Sequence, residues 1–448
     1  APAPAGDLVA VTNHRFELLL VDVAKGSVTE VHENRYRWIG GTSWSPDGRW
    51  LVFAAHDSEL TSAIHVHDTK QGRTHRVTAP GLYDFAPAFD PKGRYLAFLS
   101  HREFMPVPDL DFHDYGFPAD GKPYLVTLRA DLTAPFSPLR AEPRAPGAPA
   151  GNGNGESKDG ELPEVEIDLE GIEGRVVATP AAAGVHGRVA LTADKLLVSS
   201  YPIVKPPPSL PPKPVAATLQ SIDLTTGQVE KVADGVRGFT LDAKAKVLAL
   251  RVGEKLRVVP AGWKDPGDGK DHVSRETGWV DLGRISVEVR PGDEWQQMLH
   301  EAWRLQRDHF WDPELEGVDW EAVLARWEPL VDRVGARSEF SDLMWEMQGE
   351  LGTSHAYEMG GDYTPLPKWQ TGSLGAVLEQ GPRSGWRLGE IIRGDSWKPN
   401  VDSPLAAPGV DAEPGDRLLA VDGVPTDREV DPHALLVARA GKPVTLTL

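Results

Sequence analysis

The sequence predicts a multidomain chain in which an all-β propeller is followed by a small α-helical domain and then by a compact α/β module. Three observations carry that expectation. A strand-turn-strand phrase recurs at an offset of 45 residues in the first third of the chain. Beyond Arg290 the apolar period lengthens from two to about 3.6 residues, and beyond Gly372 strand-like text returns. At 448 residues the chain also exceeds what one hydrophobic core supports, so several cores of roughly 100–200 residues each are expected.

The repeat is explicit. Ser43-Trp44-Ser45-Pro46-Asp47-Gly48-Arg49-Trp50-Leu51-Val52-Phe53 is echoed by Ala88-Phe89-Asp90-Pro91-Lys92-Gly93-Arg94-Tyr95-Leu96-Ala97-Phe98. In each copy a Pro-x-Gly turn separates two apolar strands, because proline presets the first turn angle and glycine accepts a positive φ. A period of about 40–45 residues with four strands per unit is the signature of propeller blades. Outer strands read strand, Asp, turn: Leu18–Asp22 before Lys25-Gly26, Ile64–Asp68 before Gln71-Gly72, and Gln220–Asp223 before Thr226-Gly227. Weaker units surround Leu191–Ser200 and Phe239–Val259, giving five or six blade-like units before Pro260 and a ring expected to be incomplete on its N-terminal side. The start, Ala1-Pro2-Ala3-Pro4-Ala5-Gly6, carries no mark of a targeting peptide and reads as a cut end. Pro143 to Gly160, rich in Pro, Gly, Asn and Ala, is expected to be a flexible insertion, and Lys205 to Pro214 a stiff polyproline loop.

Helical stripes follow. Trp295, Leu299, Ala302, Trp303 and Gln306 share one face behind an Asp293 cap; Trp320, Leu324 and Trp327 follow Asp319; Phe340, Leu343, Met344, Met347 and Leu351 follow Ser338. The last module has strands at Leu374–Glu379, Trp386–Ile392 and Asp416–Gly423, a helix from Pro432 to Ala440, and a final strand at Val444–Leu448. The expected domains are 1–289 for the propeller, with the insertion at about 143–160, then 290–362 and 370–448.

Composition excludes several function classes. No apolar run approaches the ~20 residues of a membrane span. The absence of cysteine removes disulfides, thiolate nucleophiles and thiolate-bound metals, and makes the cytoplasm the default compartment. With 66 acidic against 47 basic residues, the net charge of −19 disfavours nucleic acid and anionic membranes as partners.

The candidate for chemistry is Gly352-Thr353-Ser354-His355-Ala356-Tyr357, directly after the third helix. A histidine there is suited to act as general base, since its ordinary pKa lies nearest neutrality, and Ser354 beside it could orient or relay. On the residues alone, a Ser-His pair does not distinguish a base from a structural histidine. His65-Val66-His67-Asp68 and His113-Asp114 lack a third ligand, so no metal is expected, and no cofactor motif or Gly-x-Ser-x-Gly nucleophile elbow occurs.

Read in order, Tyr83–Phe89, the phrase Val165–Ile172, Asp308-His309-Phe310-Trp311-Asp312, then Gly352-Thr353-Ser354-His355 and the last module resemble tricorn proteases over nearly the whole chain. The last module, through Ser403–Val410 and Gly415–Pro425, resembles the PDZ domains of proteases. The resemblance implies a propeller of the seven-bladed type, His355 as the catalytic base and Ser354 as a neighbour in the charge relay. It places the nucleophilic serine, the oxyanion amides and the acidic relay member in an α/β domain beyond Leu448, so this chain alone is expected to be inactive. It further implies peptide substrates, a propeller channel leading to the site, and a homo-oligomer, a hexamer in that family. Whether the PDZ module binds a peptide through Ser373-Leu374-Gly375-Ala376 or only spaces two catalytic halves stays open. The competing expectation is a non-catalytic propeller-PDZ scaffold, in which His355 is buried; a prolyl oligopeptidase is the weakest, lacking both its elbow and a reason for the PDZ module.

Overall fold

A computed structural model describes residues 1–109, 114–117, 119–136, 164–203, 215–267, 269, 271–361, 363, 369–381, 385–395, 398 and 401–448. The expected insertion at 143–160, the polyproline stretch 205–214 and His113 lie outside the described residues. The chain forms two compact units, residues 1–294 with 301–317, and 295–300 with 318–448.

The first unit is a run of antiparallel blades. Strands β1 (Leu8–Thr12), β2 (Glu17–Asp22) and β3 (Ser27–Glu33) form the first; β4 (Gly40–Trp44), β5 (Trp50–His56), β6 (Ser62–Asp68) and β7 (Arg73–Arg76) the second. The third consists of β8 (Tyr83–Phe89) and β9 (Tyr95–His101), the side hairpin β10 (Val107–Asp109) and β11 (Asp114–Gly116), then β12 (Gly121–Thr127) and β13 (Val176–Ala178). The fourth takes β14 (Val185–Leu191), β15 (Lys195–Tyr201), β16 (Ala217–Asp223) and the first half of β17 (Val229–Leu241). The second half of β17 opens a fifth, with β18 (Val247–Val252) and β19 (Lys255–Pro260).

The two copies of the repeat are the hairpins β4-β5 and β8-β9. Their turn glycines, Gly48 and Gly93, have φ of 72° and 66°, as the sequence requires. At Gly93 an added Cβ would stand 2.8 Å from Val165 Cγ2, so this turn also admits no side chain where the returning chain packs on it. The outer strand-Asp-turn phrases have a common cause. Asp22 accepts from the Lys25 amide, Asp68 from the Lys70 amide and Asp223 from the Thr226 amide, each carboxylate closing the turn that follows its own strand. Asp68 is fully buried and also takes Nη2 of Arg49 at 2.6 Å.

Alternate residues of each central strand enter different cores. Trp50, Val52 and Ala54 of β5 pack with Leu96 and Phe98 of the next blade, whereas Leu51, Phe53 and Ala55 pack with Ala10, Leu18 and Leu20 of the preceding one. In β9, Leu96 and Phe98 face backward while Ala97 and Leu99 join Val189, Leu196 and Val198 ahead. In β15, Leu197 passes to the fifth blade's Leu248 and Leu250. A strand sandwiched on both faces reads as a continuous apolar run, which explains Trp50–Ala55 and Tyr95–Leu99. The inner strands β4, β8, β14 and the end of β17 line one cavity of about 1130 Å³.

Helix α1 (Pro291–His309) starts earlier than the Asp293 cap expected from sequence. Pro291 occupies its first turn, where a missing N–H costs nothing, and Asp293 and Glu294 lie inside that turn facing the positive end of the helix dipole. Helix α2 (Trp320–Trp327) is capped as expected, Asp319 accepting from the Ala322 amide at 3.0 Å. Helix α3 (Arg337–Gly349) begins before Ser338, which is not its cap, and buries Phe340, Leu343, Met344 and Met347.

The last module contains β20 (Ala376–Gln380), β21 (Trp386–Ile391) and β22 (Arg417–Leu418) in one sheet, and β23 (Ala420–Val421), β24 (Val424–Pro425) and β25 (Leu446–Thr447) in another. Helix α4 is only Pro432–Leu435, not 432–440, because Ala438 takes a left-handed φ of 60° that a helix cannot continue through. Leu374, Leu388, Leu405, Leu418, Val421 and Leu436 form its core.

His65 is stacked on Phe53 and His32 at ring distances of 5.6 and 5.8 Å, its Nδ1–H donating to the Ala63 carbonyl at 3.1 Å. Burial, with His32 alongside, pushes its pKa down from 6.5 to about 4. The folded state therefore holds His65 neutral where the unfolded chain would already bind a proton. Stability is complete above about pH 6.5 and falls as the pH drops toward about 4, by up to roughly 3 kcal/mol from this group. Urea unfolding between pH 7 and 5 should show this decline, and His65→Leu should flatten it.

Candidate active-site loop

Helix α3 ends at Gly349, and the Gly352 amide bonds back to the Gly349 carbonyl at 3.0 Å. Gly352 itself lies at φ 63°, three residues past the helix end that it was expected to form, and turns the chain out into Thr353-Ser354-His355. Thr353, Ser354 and His355 are all exposed. His355 adopts a left-handed φ of 67°, a region few non-glycine residues occupy and one in which histidine is over-represented. The scaffold expectation of a buried His355 is thus not what the structure shows.

The ring of His355 meets Tyr357 edge to face at 5.9 Å, and its Nδ1 lies 3.1 Å from Tyr357 Oη in a hydrogen bond. With Nδ1 engaged, the remaining ring nitrogen is Nε2. Ser354 stands beside His355 in the chain; the hydrogen bond it makes is through its carbonyl, to Thr353 Oγ1 at 3.4 Å.

Sequence reasoning overlooked the residues that hold this loop. Glu358 accepts hydrogen bonds from Ser341 Oγ and from the Arg337 guanidinium, and Tyr363 Oη donates to Ser341 Oγ at 2.6 Å. Burial pushes the Glu358 carboxyl up, but the hydrogen bonds from Ser341 and Arg337 outweigh it and hold the group below the usual carboxylate range. Arg337, Ser341 and Trp345 recur every four residues in α3, a polar-aromatic stripe beside the apolar one, and that spacing was the available signal.

The other histidines singled out from sequence have separate structural partners: His65 the Ala63 carbonyl, His67 Thr74 Oγ1 at 3.0 Å. Among the described residues no group of three or more His, Asp or Glu side chains could hold a metal ion, and no helix is long and apolar enough to cross a membrane.

In the last module a second cavity, of about 640 Å³, is lined by Ser373, Leu374, Leu405, Leu436 and Arg439. Its Ser373-Leu374-Gly375 loop is tied inward: the Gly375 amide donates to Ser373 Oγ at 3.1 Å, and Ser403 Oγ donates to the Leu374 carbonyl at 2.7 Å. His355 lines neither cavity.

A propeller-like β region, a small helical domain presenting a histidine on an exposed loop, and a PDZ domain, in that order, define a multidomain class of propeller-and-PDZ proteins. Family models place the chain within it. The second β-propeller domain of tricorn protease matches residues 1–262, the C1 domain residues 291–349, and the tricorn PDZ domain residues 372–448. The chain belongs to the tricorn protease family. It is 36% identical to tricorn protease homolog 1 of Streptomyces coelicolor over 100% of this chain and 42% of that protein. It is 31% identical to the tricorn protease homolog of Saccharolobus solfataricus over 97% of this chain and 38% of the relative. The chain thus spans less than half the length of these relatives. A crystal structure of the tricorn protease superimposes on 99% of this chain and 41% of its own length, with a TM-score of 0.74 at 23% identity, which establishes the shared fold.

The PDZ loop makes a direct prediction. Gly375 has φ 63°, and a Cβ there would lie 2.8 Å from Ser403 Cα, a backbone atom that cannot swing away. Gly375→Ala should lower the stability of this module by about 1–3 kcal/mol, seen as an earlier denaturant midpoint for the Trp386 environment.

Proposed function

We propose that this chain is the central part of a serine-type peptidase of the tricorn class that degrades oligopeptides. His355 is the general base and Ser354 its neighbour in the charge relay. The observation that carries this reading is the exposure of His355 on a loop leaving α3, with Nδ1 bonded to Tyr357, which leaves Nε2 as the ring nitrogen for proton transfer. An imidazole so placed can take the proton of a serine hydroxyl as the serine attacks a peptide carbonyl, then return it to the departing amine. The nucleophile, the oxyanion donors and the acidic relay member come from a domain C-terminal to Leu448, so the 448-residue chain by itself is inactive.

Three domains carry the division of labour: 1–289 the propeller, 290–362 the base-bearing helical domain and 370–448 the PDZ domain. The cavity lined by the inner propeller strands is the route by which peptides approach the base. The protein acts in the cytoplasm as a homo-oligomer, a hexamer as in the family, without cofactor or metal.

Hydrolysis of short fluorogenic peptides tests the reading. The chain extended to its natural C-terminus should cleave them, the 448-residue chain should not, and His355→Ala in the extended protein should reduce kcat by about 10⁴-fold or more. Full activity in His355→Ala would refute the assignment of the base.

A further inference from the structure

Arg337, Ser341 and Trp345 stand one above another on α3, because residues four apart share a helix face. This ridge is where the loop after the helix is fastened. Ser341 Oγ donates to the Glu358 carboxylate and accepts from Tyr363 Oη, so both of its hydrogen-bonding functions are used on the loop. The Arg337 guanidinium bonds Glu358 and lies over the Tyr363 ring at 5.1 Å. The Arg337 and Glu358 side chains are only 9% and 14% exposed, a degree of burial that ordinary loop ion pairs lack. At Gly361, φ 114°, a Cβ would stand 2.8 Å from Arg337 Nη2, so the returning loop is shaped around this guanidinium.

His355 lies three residues before Glu358, outside any helix or strand and exposed. Its ring contact is Tyr357, the residue next to Glu358, and Tyr357 in turn meets Trp345 edge to face at 6.2 Å. The imidazole is therefore referred to α3 through two links, Tyr357 on Trp345 and Glu358 on Arg337 and Ser341. Without the second link, a segment that has no regular backbone hydrogen bonding would be free to move away from the helix.

We propose that Glu358 is the positioning residue of His355: captured by Arg337 and Ser341, it latches the loop to α3 and so sets the place and direction of the imidazole. The proposal rests on the reading of His355 as the base. Glu358 touches no substrate and exchanges no proton; it acts through the loop. Because a displacement of about 1 Å can cost a reaction a hundredfold, a latch of this kind belongs to the reaction and not only to the fold.

Two arms test it. In the 448-residue chain labelled with [13Cε1]-histidine, the His355 resonance is assigned by its loss in His355→Ala. Glu358→Ala should move it to the shift of a free, solvated histidine, Glu358→Gln, which keeps an acceptor for Ser341, should move it part of the way, and Glu346→Gln, the same charge change on the exposed side of α3, should leave it in place. In the chain extended to its natural C-terminus, Glu358→Ala should lower kcat on a fluorogenic peptide by about ten- to a hundredfold with KM within about twofold, and Glu358→Gln should recover part of the loss. An unmoved His355 resonance with wild-type kcat in a cooperatively folded Glu358→Ala protein would overturn the proposal. So would wild-type behaviour of Glu358→Gln in both arms should the alanine variant fail to fold. If His355→Ala remains active the base assignment falls, and the resonance arm still decides whether the latch holds the loop.

Discussion

The structure depends first on the fact that a propeller blade has no face of its own to bury. A four-stranded sheet with apolar residues on both sides is stable only between two neighbours. The alternation in β5, β9 and β15 shows the consequence at the level of single residues. Phe53 and Phe98, both fully buried and at the same place in the repeat, each face the core before their own blade, while their chain neighbours Val52 and Ala97 enter the core after it, because each repeat contributes one set of side chains backward and one forward. The turn that joins each pair of strands must then be short and tightly specified, which is why Gly48 and Gly93 take a positive φ and why Asp22, Asp68 and Asp223 close the turns after their strands.

The helical domain solves a different problem. A blade locks residues between sheets, whereas on the proposed function a base that must meet a partner group has to remain at the surface and yet keep its direction. The chain achieves this by exposing His355 and burying what stands just after it. Glu358 and Arg337 form an ion pair shielded from water, where a charge-assisted hydrogen bond is geometrically stricter than at the surface. Exposure and rigidity are thereby assigned to neighbouring residues of one loop.

The repeat, the two-faced strands and the order of the three domains were legible in the sequence because they rest on local, periodic features: a 45-residue echo, Pro-x-Gly turns and a change of apolar period. Helix ends were less legible. Asp293 and Ser338 look like caps, but Pro291 starts α1 earlier and α3 begins at Arg337 without a side-chain cap. The end of α4 depends on the left-handed Ala438, which nothing in an alanine announces. In the site, Ser354 and His355 could be singled out from residue type and position, with family resemblance giving them roles. Tyr357, Glu358 and the Arg337-Ser341 pair could not, because their meaning arises from a loop folding back on a helix, a contact across 17 to 22 residues that no local pattern encodes.

The central claim is that His355 serves a nucleophile supplied from beyond this chain. Labelling with a fluorophosphonate addresses it directly, since the reagent phosphonylates an activated serine and releases fluoride. In the protein extended to its natural C-terminus, peptide mapping should find the adduct on a serine C-terminal to Leu448, and His355→Ala should abolish it; the 448-residue chain should remain unlabelled. An adduct on a serine within residues 1–448, or one that forms equally well without His355, would contradict the account.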